Sequence, residues 1–142
     1  MRAELLRREL SDLALVAGGA IPGALLRWRL GLEMPQGLGA LPPWLNGTLL
    51  ANLLGCLLIG VLVAQPPGRT RLFLWGGIGF SGSLTTFSTW MLQLVRALQG
   101  GRWIELAATL VVPLAGGLLF TVLGHRLGSR LADRGGAGKP RG

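Results

Sequence analysis

Apolar positions gather into four blocks separated by short polar or Pro/Gly-rich stretches. Leu13–Leu26 ends at Arg27, Leu45–Ala64 contains no charge, a third block runs from Leu72 to about Val95, and Leu106–Leu123 is the most uniformly apolar. A helix needs about 20 such residues to cross hydrocarbon. The first block holds 14 before Arg27. It spans only if that guanidinium lies in a wet vestibule or snorkels to the interface, carrying the helix on towards Leu32. A signal peptide is the rival reading of this block, given Arg2, Arg7 and Arg8 upstream, but no clean small-x-small site precedes Arg27-Trp28-Arg29. No strand-like alternation competes with helix. The pattern predicts an all-α integral membrane fold with spans near 13–32, 45–64, 72–97 and 103–126. These make one membrane domain over residues 1–127, followed by a basic, Gly-rich, disordered tail over 128–142. Gln65-Pro66-Pro67-Gly68 closes the second block, and residues 33–44 and 65–71 read as loops.

Charge sharpens this picture. Only 14% of the 142 residues are charged, against about 25% in an average soluble domain. The acids are Glu4, Glu9, Asp12, Glu33, Glu105 and Asp133, so residues 34–104 hold no carboxylate. That excludes paired-carboxylate catalysis and an acidic metal cage in the middle of the chain. Cys56 and His125 are the only cysteine and histidine, which excludes a disulfide framework and a Cys/His metal site. No nucleophile–base pair can be assembled, and the chain does not read as an enzyme. The net charge of +8 resides in tails and short loops, where it meets anionic lipid and sets topology rather than binding nucleic acid. With four spans, one side carries ten basic residues (Arg2, Arg7, Arg8, Arg69, Arg71, Arg126, Arg130, Arg134, Lys139, Arg141) and the other four (Arg27, Arg29, Arg96, Arg102). The bias favours cytoplasmic termini.

The third block carries the chemistry. Gly79-Phe80-Ser81-Gly82-Ser83-Leu84-Thr85-Thr86-Phe87-Ser88-Thr89-Trp90 crowds hydroxyls and glycines where a lipid-facing helix would have Leu and Val. At 1.5 Å per residue a helix over 72–95 is about 36 Å long, which puts Gly82–Thr85 near the midplane. Broken helices are tolerated there only where freed backbone is buried or lines a cavity. Freed carbonyls aimed inward could make a cation site without any carboxylate. The alternative is that the hydroxyls bond back to their own helix. Thr48, Asn52 and Cys56, spaced by four, share one face of the second helix. An unpaired amide at Asn52 would cost about 2–7 kcal/mol in hydrocarbon. It therefore faces a wet path or bonds a neighbouring helix as interhelical glue. Gly19-Ala20-Ile21-Pro22-Gly23 has small-xxx-small spacing, and Thr109, Pro113, Gly117 and Thr121 recur every four residues. Both patterns also suit tight helix packing.

Three segments together resemble the Fluc (CrcB) family of fluoride channels: Gly19-x3-Gly23-Ala24-x2-Arg27, Gly47-Thr48-Leu49-x2-Asn52-x2-Gly55, and, most specifically, Gly79-Phe80-x-Gly82-x2-Thr85-Thr86-Phe87-Ser88-Thr89. The resemblance covers residues from about 17 to 124. It implies an antiparallel dual-topology dimer in the cell's inner (plasma) membrane that lets cytoplasmic fluoride leave passively through two narrow pores, relieving its toxicity. It further implies a structural Na+ at the dimer centre, on the backbone carbonyls of Gly82 and Thr85. On the same grounds Asn52 corresponds to a pore-lining amide, with Thr48 on its helix face, and Arg27 to a vestibule arginine. Phe87 matches a pore-facing aromatic flanked by Thr86 and Ser88. These residue types suit a small, strongly hydrated anion: neutral N–H and O–H groups replace water without trapping the ion, and aromatic edges are partially positive. Arg27 at the mouth would concentrate anions while the interior stays neutral.

Two positions depart from the family. Trp90 stands where a second pore phenylalanine is usual, and Ser83 replaces a second glycine at the break. Pro113 and Gly117 also lack the hydroxyls that relatives often place on the fourth span. With the charge bias, these raise the hypothesis of one fixed orientation and an oppositely oriented paralogue as partner, in place of a homodimer. A dual-topology multidrug or cation transporter is the main alternative. Proton-coupled export, however, normally needs an intramembrane carboxylate, and no span interior has one. An accessory membrane subunit is a second alternative, which would not require Asn52 together with the hydroxyl-rich break.

Overall fold

Helix starts and stops follow local chemistry. A computed structural model describes residues 2–34 and 42–136. α1 (Arg2–Glu33) begins with Glu4 in its first turn, a favourable place for negative charge. It stops before Met34-Pro35, where the proline disfavours helical backbone in the residue ahead of it. The Met34 carbonyl accepts the Gly47 N–H at 3.0 Å, so the end of α1 holds the start of α2 (Gly47–Val63). Asn46 caps α2, its Oδ1 accepting the Thr48 and Leu49 N–H groups at 3.0 and 3.1 Å.

After a 3-10 turn over Pro67–Arg69, α3 (residues 70–84) winds as a short α-turn, a π-helical stretch over Phe73–Ser81 and a last α-turn over Gly82–Leu84. α4 (Ser88–Gln99) and α5 (Trp103–Gly136) follow. Gly101 turns between them at φ 65°, a conformation that favours glycine.

The elements differ from the sequence expectation in four places. α1 reaches back to Arg2, because Leu5, Leu6, Leu10 and Leu13 keep a helical spacing through the charged N-terminus. The third block contains a π-helix. Gly76, Gly77 and Gly79 are all buried in it: Gly79 lies against the α1 backbone at Val16 and Gly19, Gly76 against Leu62 of α2, and Gly77 against the Phe73 ring. The Ser81 hydroxyl bonds the Gly76 carbonyl five residues back at 2.8 Å, the same step as the π-helical backbone. The break falls at 85–87 and not across 82–85: Gly82–Leu84 are still helical, and Thr85 is the first extended residue. Finally, α5 continues past Leu127 to Gly136, since nothing before Gly135-Gly136 breaks it. Residues 137–142, the remainder of the expected tail, and 35–41 of the expected 33–44 loop lie outside the described residues.

Two helix pairs build the molecule, α1 against α3 and α2 against α5, with α4 laid on α5. Glycine makes both contacts close. A side chain at Gly19 would overlap the Trp75 carbonyl, and one at Gly23 would overlap Ser83 and the Phe80 carbonyl. In the other pair Gly60 abuts the Thr121 carbonyl and Gly124 the Leu57 carbonyl. The small-residue spacing in α1 thus serves packing on α3.

The interior is thin and the surface apolar. Among the described residues only Leu49, Ala51, Leu84 and Ala97 are buried hydrophobics, whereas Ile104 is 88% exposed and Leu118 70%. α1 and α5 (Trp103–Asp133) are each long and apolar enough to cross a membrane, and α2 is a shorter apolar helix. Of their most apolar 18-residue windows only 11% and 6% is buried in the chain. A helix at the core of a soluble protein would be mostly covered. These faces require lipid or another subunit.

Candidate functional site at the break in the third helix

Ending one helix and starting another inside a bundle leaves carbonyls and amides without intrahelical partners. Here the chain leaves α3 at Leu84, passes Thr85 at φ −77°, ψ 153°, and re-enters helix at Ser88. Part of the loss is met locally, with the Ser81 carbonyl accepting both the N–H and the hydroxyl of Thr85 at 3.0 Å. The rest comes from α2. Asn52 Oδ1 accepts the Thr86 N–H at 2.8 Å, and Asn52 Nδ2 donates to the Thr86 carbonyl at 3.2 Å. One carboxamide therefore satisfies both polar groups of Thr86 across 34 positions of sequence. Leaving either unpaired would cost about 1–3 kcal/mol. An amide has two N–H groups; Thr86 takes one of them.

The hydroxyls divide at the break. Ser81, Ser83 and Thr85 bond back to carbonyls of their own helix, as the alternative reading of this block expects. Thr86, Ser88 and Thr89 instead gather around one another. Thr86 Oγ1 lies 3.4 Å from Ser88 Oγ and 3.3 Å from Thr89 Oγ1, and accepts the Thr89 N–H at 3.5 Å. This cluster caps α4 with groups that can rotate towards solvent or an ion.

Two cavities meet at Thr86. One of 410 Å³ is lined by Arg27, Thr48, Thr86 and Thr89, among others. The second, of 360 Å³, has Asn52, Thr85, Thr86, Phe87, Trp90 and Pro113 in its wall. Arg27 is the one charged side chain lining either. The Phe87 and Trp90 rings meet edge to face, centroids 5.7 Å apart at 71°, and the Trp90 N–H donates to the Thr109 carbonyl at 2.6 Å.

Of the candidates, Arg27, Thr48 and Thr86 thus share the outer cavity, and Asn52, Thr86, Phe87 and Trp90 the inner one. Ser88 lines neither and touches the site through Thr86. Gly82 is exposed, with the Gly77 carbonyl the one atom near where a side chain would stand, on the far side of the break from Ser88. Sequence reasoning gave no separate role to Thr89, which lines the outer cavity. Its spacing from Thr86, i to i+3 at a helix start, is the signal that identifies it. Among the described residues no cluster of His, Cys, Asp and Glu could hold a metal ion. The arrangement presents neutral donors, an aromatic edge and a cationic rim, without a carboxylate.

The family model described as CrcB-like protein, Camphor Resistance (CrcB), matches residues 14–125. The chain is 44% identical over 127 residues to the fluoride-specific ion channel FluC 2 of Parasynechococcus marenigrum (strain WH8102), covering 89% of this chain and 88% of the relative. It is 45% identical over 120 residues to the fluoride-specific ion channel FluC of Pseudomonas aeruginosa (strain UCBPP-PA14), 80% of this chain and 90% of the relative. The FluC of Chromohalobacter salexigens is 41% identical over 131 residues, 88% and 96% of the two chains.

Proposed function

The chain belongs to the CrcB-like family, and from that premise we propose that it is a membrane channel subunit, not an enzyme, that conducts fluoride passively out of the cytoplasm. The observation that carries this reading is the Asn52–Thr86 pairing, which holds a broken helix open beside two cavities lined by neutral donors. Fluoride is strongly hydrated, so a conducting route must replace its water with donors and still release it. Arg27 supplies attraction at the outer cavity. The Thr48, Thr86 and Thr89 hydroxyls take over hydration there, and the second N–H of Asn52 with the Phe87 ring edge continues the path inward. Fluoride enters a cell as HF from acid surroundings and ionises inside, so a passive anion pathway suffices to remove it.

In this reading residues 13–32, 45–64, 72–97 and 103–126 make four spans in the inner membrane, with α3 and α4 as the two halves of the third. The single chain leaves Phe87 69% exposed, and a second subunit covering this face would close the route. The subunits lie antiparallel, either two copies of this chain or this chain with an oppositely oriented paralogue. The numeral in the relatives' name FluC 2 accords with genomes that carry more than one such chain. The backbone carbonyls of Gly82 and Thr85 fit the expected Na+. Thr85 is extended, which turns its carbonyl out of the helix, and Gly82 is exposed. The ion supplies positive charge that holds facing carbonyls together.

Expression in a bacterium deprived of its own fluoride exporter tests the reading. Growth in millimolar fluoride should be restored by this chain, alone or with its paralogue, and not by the Asn52→Asp variant. Growth equally poor with and without the chain, at verified membrane expression, removes the proposal.

A further inference from the structure

Pro113 lies inside α5. Proline has no N–H, so the carbonyl four residues before it loses its helical donor. That carbonyl belongs to Thr109, a residue only 3% exposed. It is the same carbonyl that accepts the Trp90 indole N–H at 2.6 Å. The indole therefore occupies the hydrogen-bonding position that the proline vacates. The match is specific, because one residue either way on α5 the carbonyl keeps its own backbone donor.

The bond has consequences on both sides of the ring. Trp90 and Pro113 face the inner cavity with Asn52 and Phe87, while Thr109 lines a separate small polar cavity with Gln93, Arg96, Arg102 and Glu105. Holding the N–H on Thr109 turns the polar end of the indole away from the inner cavity and leaves its hydrocarbon as wall. It also fixes the ring that Phe87 meets in an edge-to-face contact, at 5.7 Å and 71°. Without the indole donor, the buried Thr109 carbonyl oxygen would lack a partner behind the wall of the inner cavity. Its partial negative charge would oppose fluoride.

Building on the channel reading above, we propose that Trp90 is a positioning residue for fluoride passage: its indole, locked on the Thr109 carbonyl that Pro113 frees, fixes the Phe87 ring and keeps that oxygen paired behind the cavity wall. The tryptophan and the proline are then one paired device. Losing one member alone should be worse than losing both.

The experiment is a double-mutant cycle on the purified chain in liposomes, in whatever subunit composition conducts. W90F keeps an aromatic ring and removes the donor, and fluoride efflux should fall about tenfold, the effect of one mis-set hydrogen bond. P113A restores a backbone N–H for Thr109, so W90F/P113A should recover to within about threefold of wild type. The indole resonance that disappears in W90F, one of five in the protein, reads the bond without reference to transport. In P113A it should move upfield and exchange faster, because the backbone then competes for the carbonyl. A double variant as impaired as W90F, or a Trp90 resonance indifferent to P113A, overturns the inference while leaving the channel reading intact. A wild-type assembly that releases no fluoride overturns the channel reading and the transport role of Trp90 with it.

Discussion

Asn52 commits its oxygen and one N–H to the Thr86 peptide, so at the residue scale it is interhelical glue and, in the channel reading, also a donor to the anion. The two readings of an amide in an apolar helix turn out not to compete. Asn52→Asp replaces the Nδ2 donor with a second oxygen and adds negative charge beside the anion path. Fluoride flux should drop by at least about tenfold, since like charge in a desolvated site costs several kcal/mol, and the break should loosen. Liposome efflux and a lowered melting temperature check the two effects separately. Phe87→Ile keeps apolar bulk and loses the positive ring edge. Flux should fall by a similar factor while stability stays within about 1 kcal/mol, because the ring is mostly exposed in the single chain. The hydroxyl run and Asn52 were readable in the sequence as chemistry out of place in an apolar block. Their pairing was not, because the two residues are 34 positions apart and either could have faced another helix. The Trp90–Thr109 bond was hidden for the same reason, although Pro113 already announced a carbonyl in need of a donor.

Helices here are held by backbone contact rather than by a thick core. Gly60 and Gly124 let α2 and α5 touch carbonyl to backbone. Gly124→Leu should force this pair apart and lower stability by about 1–3 kcal/mol, as overpacking does. Ala115→Leu, on an exposed position of the same helix, should leave stability unchanged. Thermal unfolding in detergent followed by circular dichroism measures both. The block pattern placed the helices, since apolar runs of this length are decisive on their own. Their ends were less legible. The start of α1 at Arg2 follows leucines spaced through a charged stretch, and α5 runs past a composition that suits a tail. The π-helical path of Phe73–Ser81 was not readable at all. Three buried glycines permit it, but what packs on them, α1 at Gly79 and Leu62 of α2 at Gly76, is set by tertiary contacts that the local sequence does not carry. A contact from α2 explains why the break falls three residues later than the glycine content implied: Gly82–Leu84 complete the helix before the Asn52 amide captures Thr86.

As a whole molecule the chain is inside out, with most of its large apolar side chains outward and glycines and Ser81 at the helix contacts. The ten-to-four distribution of basic residues predicts that a reporter fused to the C-terminus signals from the cytoplasmic side alone. Equal signal from both sides would show dual insertion and point to a homodimer. If Gly82 and Thr85 hold Na+, exchanging all Na+ for a large organic cation should weaken the subunit pair, visible as a shift towards monomer in detergent size exclusion. The central claim, that neutral donors around an interrupted helix pass fluoride, is tested most directly by ion release from liposomes containing the purified assembly. Fluoride should leave rapidly and chloride should stay, with Asn52→Asp abolishing the difference. Chloride leaving as fast as fluoride, or no fluoride release from folded protein, would contradict the account.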